Sequence, residues 1–590
     1  QDPSAALAMS PSRVLSSEAL TPAARRIFAW WCLFCRTIPA WMVFGTPSLL
    51  IGLTYPYPQE VFMLLVVVSS VMVFSNGLYM VFFCPLMLLE MRQSMAGRDL
   101  QSPPEPASRS GEVQGDDGVV HWVILPNYKE DVSTMTGSLE SIARSPVARE
   151  QICVLLAMEE REPGARQKAE LLKAEFAGRF REVAITYHAA DLPNDPPGKA
   201  SNMASAFRWL CRYVEEVGQD PSLVVLTVAD ADSDFHPLYF RRLGRQFARA
   251  DPSKRFSKIW QAPVFHVKNY HRQPMLLIVG TMFTAMSEIA VLSDPYSIRF
   301  PYSTYSLPLQ LARRVGGWDA EWIAEDWHMG IKCFLLTLGE VEVEPVLLPT
   351  VNYMPEVTDS WLGTVNERWK QAKRHSLGFS DMSYYFMMLP VLFCRLSAQQ
   401  GKGRGPNLQD FWRTFFHGIA YIVRLVNTHV VVGIMTLYMI ITFILKNFLY
   451  SELQDLRHVG VLFDRATVAC GAFFAASLVC ISITTLSFQG LYASLKDRME
   501  PPSGKWKYLF SLTFLHWAYT FIAGTAFAAV YCTGLAASVW IAAVKVLLTG
   551  TFEYEVAAKP TKEREEQSSL AFPSSCSVIG EAPAKPSKEA

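Results

Sequence analysis

Two carboxylate pairs hold the clearest chemistry in this sequence. Asp230 and Asp232 close the apolar run Leu223–Ala229, and Glu325 and Asp326 stand side by side in Ala324-Glu-Asp-Trp-His328. Carboxylates at the rim of a pocket can bind a hard cation through oxygen, or take a proton from a hydroxyl. Ser233, Asp234 and Pro237 supply turn chemistry, so both aspartates can face one ligand, or one can take a cation and the other a hydroxyl. Asp326 has a second reading, since an acid opening a helix also serves as a cap. Lys199 follows Gly198 where a helical pattern starts, a place suited to phosphate because unpaired N–H groups and the positive dipole end point there. Pro126-Asn-Tyr-Lys-Glu130 and Glu159-Glu160 add polar residues after two further apolar runs.

The elements that position these groups alternate in type. His121–Pro126, Ile152–Ala157, Val183–Tyr187 and Leu223–Ala229 are apolar, β-branched runs of strand length. They read as strands buried on both faces. Between them come helical patterns, such as Met203, Phe207, Leu210, Val214 and Val217. Strands alternating with helices predict an α/β domain with a mainly parallel, Rossmann-like sheet. Ligands of such sheets sit beyond the carboxyl ends of the strands, where both Asp230 and Asp232 fall. A second helix is expected from Asp326, with the stripe Trp327, Ile331, Phe334 and Leu338, ending at Gly339.

Of the 590 residues, 50% are hydrophobic and 18% charged, and the formal net charge is zero. Bulk charge gives no argument for nucleic acid. The apolar excess is concentrated toward the two ends. Ile27–Leu53 and Val61–Leu89 each exceed the roughly 20 residues that a bilayer helix needs. His429–Leu449, Val468–Leu491 and Leu509–Leu548 follow the α/β domain, the last long enough for two helices with a turn at Thr533-Gly534. The expected organisation is a disordered tail (1–24), two transmembrane helices (25–92), a Pro/Ser/Gly linker (93–118) and the α/β domain (119–382). An interfacial segment (383–410), about four transmembrane helices (411–550) and a disordered tail (551–590) complete it. Arg25, Arg26, Arg92 and Arg98 flank one side of the first hairpin, whose loop has no Lys or Arg, which predicts a cytosolic domain and cytosolic termini. The 11 cysteines lie mostly in apolar runs, and Cys32 and Cys35, inside the first span, read as buried thiols.

Farther on come Val315-Gly-Gly-Trp-Asp319 and the basic, aromatic run Glu367-Arg-Trp369 with Lys370, Lys373 and Arg374. The latter could also anchor to lipid headgroups. Pro-x-Tyr-x-Glu, an acid after strand two, Gly-Lys-x-x-Asn, Asp-x-Asp, Gly-Gly-Trp-Asp, Glu-Asp and Arg-Trp occur here in that order between apolar spans. In this the chain resembles the family 2 membrane glycosyltransferases, which include cellulose, chitin and hyaluronan synthases and ceramide glucosyltransferase. The resemblance covers about residues 118–395 and implies a GT-A domain.

It further implies that Pro126, Tyr128, Glu130, Glu159, Lys199 and Asp230 bind a nucleotide-sugar donor, with Lys199 on the diphosphate. Asp232 would ligate Mg2+ or Mn2+. Asp326 would be the general base, with Glu325 beside it, and Trp318, Arg368 and Trp369 would face the acceptor. The partners implied are a nucleotide sugar (a UDP-sugar by family resemblance), a carbohydrate or lipid acceptor and the bilayer of the plasma membrane or Golgi. Two positions depart from the family pattern. The second strand ends in Glu where the family has Asp, and the Gln of Gln-x-x-Arg-Trp is Val365. Inverting synthesis of a β-linked polysaccharide with export, single transfer to a membrane lipid, and a non-enzymatic transporter or scaffold are the three readings that result.

Overall fold

The computed structural model describes residues 21–54, 56–97, 118–189, 198–322, 324–357, 360–400, 408–445, 478–502 and 513–549, together with 11, 14, 447 and 448. Most of the expected tails and of the linker lies outside the described residues, though the helix Pro22–Thr54 begins inside the expected first tail.

All four expected strands form. β1 (Val120–Asn127), β2 (Ile152–Glu159), β3 (Glu182–His188) and β4 (Val224–Val228) lie in a seven-stranded sheet. The order is β3-β2-β1-β4-β8-β6-β9, with β6 Lys258–Gln261, β8 Tyr305–Pro308 and β9 Glu342–Pro345. Alternate residues of β1 explain the unbroken apolar runs: Trp122 and Ile124 enter one buried cluster, Val123 and Leu125 the other. The sheet has no solvent face here, so no polar alternation is required.

The sheet is mainly parallel, as expected, and is mixed through the single strand β8, since β9 runs parallel to β6. β3, β2, β1 and β4 run parallel, but β8 is antiparallel to both β4 and β6. Tyr305 pairs with Val228, so the amino end of β8 meets the carboxyl end of β4. A smaller sheet, β5 (Asp234–Phe235), β10 (Thr350–Asn352) and β7 (Val264–His266), lies beyond that edge.

The helix Lys199–Glu216 buries Met203, Phe207, Leu210 and Val214 as its spacing predicts, whereas Val217 caps the end and is 53% exposed. The helix Glu325–Leu336 buries Ile331 and Phe334 of the expected stripe, but most of its other residues are buried too and it ends before Leu338; the chain leaves it through Leu338 and Gly339, both at positive φ.

Two described helices are long and apolar enough to cross a membrane, Pro22–Thr54 and Leu478–Arg498. The bent pair Thr414–His429 and Val431–Tyr438, at 52°, can make a third. Cys32 and Cys35 are buried in the first of these. Two local expectations fail. Thr513–Thr549 is one 37-residue helix with no turn at Thr533-Gly534, since no proline interrupts it and the surrounding alanines favour helix. His429, expected to open a span, instead ends the helix Leu408–His429. That helix exposes Trp412, Phe415, Phe416, Ile419 and Val423 along one face, while Tyr421 and Leu425 are buried on the other.

Candidate active site

β4 ends at Val228, and the chain turns so that Ser233 N–H donates to the Asp230 carbonyl at 3.0 Å. The turn presents Asp230 at the sheet edge. Lys199, at the start of its helix, places Nζ 2.8 Å from Asp230 Oδ1 and 3.1 Å from Glu325 Oε2. Burial alone would lower the Lys199 pKa, but Asp230, Glu325 and Asp326 outweigh it and hold the ammonium charged. The site thus gathers three acids around one cation, and Asp232 adds a fourth acid two residues from Asp230.

The neighbouring acids Glu325 and Asp326 play different parts. Glu325 is buried and accepts from Tyr305 Oη and, at 2.9 Å, from Trp318 Nε1. Burial pushes its carboxyl up, with Asp326 adding and Lys199 opposing. Asp326 is only partly buried, and each oxygen takes a backbone N–H at 2.8 Å: Oδ2 from Ser303 and Oδ1 from Trp327. The N-cap position is Ala324, so Asp326 is not the cap, and its bond to Ser303 spans 23 residues.

Asp232 is 1% exposed. Its Oδ2 accepts from Tyr353 N–H at 2.9 Å, and its carbonyl accepts from Lys268 Nζ at 3.1 Å. Among the described residues no group of three or more His, Cys, Asp or Glu could hold a metal ion. The donor set therefore does not suit an all-protein metal cage. It does fit Mg2+ or Mn2+ held by a single carboxylate, with substrate phosphates and water completing the shell.

At the ends of β1 and β2, Tyr128 lies under the Arg161 guanidinium, 3.9 Å from the ring centre. Glu159 is buried and bonded to Arg161 Nε at 3.2 Å and His188 Nδ1 at 3.3 Å, while Glu160 points outward to Arg166. Glu159 is therefore the inward acid of the pair. Pro126 is within β1, paired with Ala157, and the Glu130 carbonyl accepts from Lys168 Nζ at 2.8 Å. Lys129 has φ 62°, and its N–H donates to Glu162 at 2.7 Å.

Trp318 is 2% exposed, so its indole acts on Glu325 and Tyr305 from within the core. The glycines before it have a packing reason. Gly316 and Gly317 have φ of 77° and 73°, and a Cβ on Gly317 would lie 2.3 Å from the Phe207 ring. Gly317→Ala is expected to destabilise the protein by at least about 2 kcal/mol, from backbone strain and overpacking together. A melting temperature equal to wild type would rule this out.

Asp319 leads into a buried charge cluster. Its oxygens meet Lys332 Nζ at 2.7 Å and His328 Nε2 at 3.0 Å, and His328 Nδ1 lies 3.3 Å from Asp381. Burial would depress the His328 pKa, but the two carboxylates outweigh it and raise it. A group raised on folding stabilises fully below its unfolded value of about 6.5 and loses that contribution as pH rises through the folded value. Asp381, pushed up to about 6 by burial, tilts stability the same way at lower pH. Melting temperature should therefore fall as pH rises above about 6.5, and His328→Gln should flatten that slope. Parallel melting-versus-pH curves for the two proteins would argue against the cluster's role.

Arg368 and Trp369 lie on the helix Trp361–Ser376, where Arg368 bonds Gln371 and Trp369 faces Gly534 of the long C-terminal helix. Sequence reasoning missed Ser303, Tyr305, Lys268, Asn352 and Tyr353. The polar run Tyr302–Ser306 matches no spacing rule, and only the fold brings these residues to the site.

No family model matches the chain, and a search of curated proteins finds no match. Among solved structures it is similar to the mannosyltransferase PcManGT from Pyrobaculum calidifontis in complex with GDP-Man and Mn2+. That match is at 14% identity over 61% of this chain and 96% of that one, with a TM-score of 0.31. It is also similar to the S. aureus TarS fragment 1-349 in complex with UDP-GlcNAc, at 10% identity, 70% and 92% coverage and a TM-score of 0.28. A third is GalNAc-T7 with UDP, GalNAc and Mn2+, at 8% identity, 46% and 54% coverage and a TM-score of 0.26. The likeness is loose at these scores, so the case for a function is carried by the site's own geometry.

Proposed function

We propose that this chain is a membrane-embedded glycosyltransferase that moves a sugar from a nucleotide-sugar donor to a hydroxyl acceptor with inversion. The observation that carries the reading is the meeting of Asp230, Lys199, Glu325 and Asp326 beyond the carboxyl end of β4, with Asp232 two residues along. Lys199 and Asp230 hold the donor, Lys199 through its diphosphate. Glu325 fixes Lys199 from beneath. Asp326 takes the acceptor proton, the acceptor oxygen bonds to the anomeric carbon, and the bond to the diphosphate breaks, with the charge leaving on phosphate. A divalent cation held by Asp232 would supply positive charge to the leaving group. Glu159, Tyr128 and Arg161 form the platform for base and ribose, with Pro126 and Glu130 framing it. Trp318 acts through Glu325, and Arg368 and Trp369 face the acceptor path.

The favoured acceptor is a growing β-linked polysaccharide. Single transfer to a membrane lipid is the second reading, motivated by Val365 in place of the signature glutamine. Detergent-purified protein would be incubated with UDP- and GDP-sugars and Mg2+ or Mn2+, and the product sized. A metal-dependent ladder supports polymer synthesis and a single addition supports the lipid acceptor. No donor turnover, by transfer or hydrolysis, would remove the enzyme reading.

A further inference from the structure

The geometry points to Ser303 as the positioning residue that holds the donor-side ion pair and the base carboxylate in one fixed relation. Its three polar groups each go to a different site residue. Its N–H donates to Asp326 Oδ2 at 2.8 Å, its hydroxyl donates to Asp230 Oδ2, and its carbonyl accepts from Lys199 Nζ at 3.4 Å. Asn352 Nδ2 reaches both Asp230 Oδ2 and Ser303 Oγ, at 3.4 and 3.5 Å.

The sheet explains why this residue is there. Because Tyr305 pairs antiparallel with Val228, the chain two residues before Tyr305 lies beside the chain two residues after Val228, which puts Ser303 against Asp230. To aim its N–H at Asp326 and its carbonyl at Lys199, Ser303 adopts φ 52°, a conformation that costs energy for a residue with a Cβ. A serine serving only as a turn would gain nothing from a hydroxyl, and glycine would fit the turn without strain. Serine here meets both demands, since it reaches Asp230 while the backbone serves the other two groups.

The inference rests on the glycosyltransferase reading, and two variants separate its parts. Ser303→Gly keeps the backbone bonds and removes the hydroxyl. Donor KM should rise at least about 10-fold with kcat within about 3-fold, the size of one lost hydrogen bond to a charged group. Ser303→Val disfavours the left-handed backbone that aims the N–H. With the base carboxylate no longer held in place, kcat should fall at least about 10-fold in the valine variant and stay within about 3-fold of wild type in the glycine variant.

A purely structural residue would lower the melting temperature without splitting the donor KM effect of the glycine variant from the kcat effect of the valine variant. Wild-type transfer together with wild-type donor KM in Ser303→Gly would overturn this inference alone. So would a folded valine variant whose kcat matches that of the glycine variant. Absence of donor turnover in the wild type would overturn the functional reading, and this inference with it.

Discussion

Asp326→Asn is expected to bind donor within a few-fold of wild-type affinity and to transfer sugar roughly 10²- to 10⁴-fold more slowly, the usual cost of losing a general base. Donor binding should survive because Lys199 and Asp230 hold their positions through Glu325 and Ser303, which the substitution leaves in place. The side chain fits the same volume, but one feature makes asparagine an imperfect mimic. Both Asp326 oxygens accept a backbone N–H. An amide offers only one oxygen and sets its NH2 against the other donor, so a stability loss of about 1–3 kcal/mol should accompany the loss of rate. Equilibrium donor binding, single-turnover transfer and melting would be measured together. Transfer within a few-fold of wild type would make Asp326 a structural acid of the helix's first turn and leave the base unassigned.

Asp232→Asn is expected to fall at least about 10²-fold in turnover, because the leaving diphosphate would lose the cation that offsets its charge. The fold should tolerate it. Asparagine can turn its amide oxygen toward Tyr353 N–H, and a buried charge is removed rather than created. The metal reading adds a second expectation, that raising Mn2+ restores part of the activity. The check is a Mn2+ titration of transfer with wild type and variant side by side. Superimposable curves would take the metal away from Asp232.

The parts of this protein legible in its sequence are those whose cause is local. β1 to β4 announced themselves because both faces are buried, and Val-Val-Leu-Thr-Val cannot be mistaken for a solvated strand. Asp230 and Lys199 were legible because each sits where an element starts or stops. β8 was not legible. Four residues ending in proline have no period, and the strand exists because β4 and β6 leave a gap between them. Ser303 was hidden for the same reason, since its backbone conformation and all three of its partners are set by distant parts of the chain. Gly316-Gly317 stands in a run that resembles a family motif, and the φ values and the Phe207 contact give it a packing explanation. The apolar spans were visible as composition, but where one helix ends and the next begins depends on packing. Hence Thr533-Gly534 passes unbroken through a helix.

That unbroken helix also constrains where water ends and lipid begins. His516 Nε2 meets Tyr270 Oη at 3.1 Å, and Ser538 Oγ meets Ser376 Oγ at 2.7 Å. Both partners belong to the α/β domain, yet their contacts are 22 residues apart on the helix (538 minus 516), about 33 Å along its axis. Only 11 residues remain beyond Ser538 (549 minus 538), about 16 Å of helix against roughly 30 Å of hydrocarbon. Tyr270 and Ser376 are both buried in the domain. Under the proposed membrane-embedded reading, with that domain outside the hydrocarbon, the segment beyond Ser538 is too short to cross upright. The helix would then lie along the shoreline between domain and bilayer, or draw the Ser376 end of the domain down to headgroup depth. Under the same reading, the proposed acceptor would approach from a shallow, lipid-lapped bay.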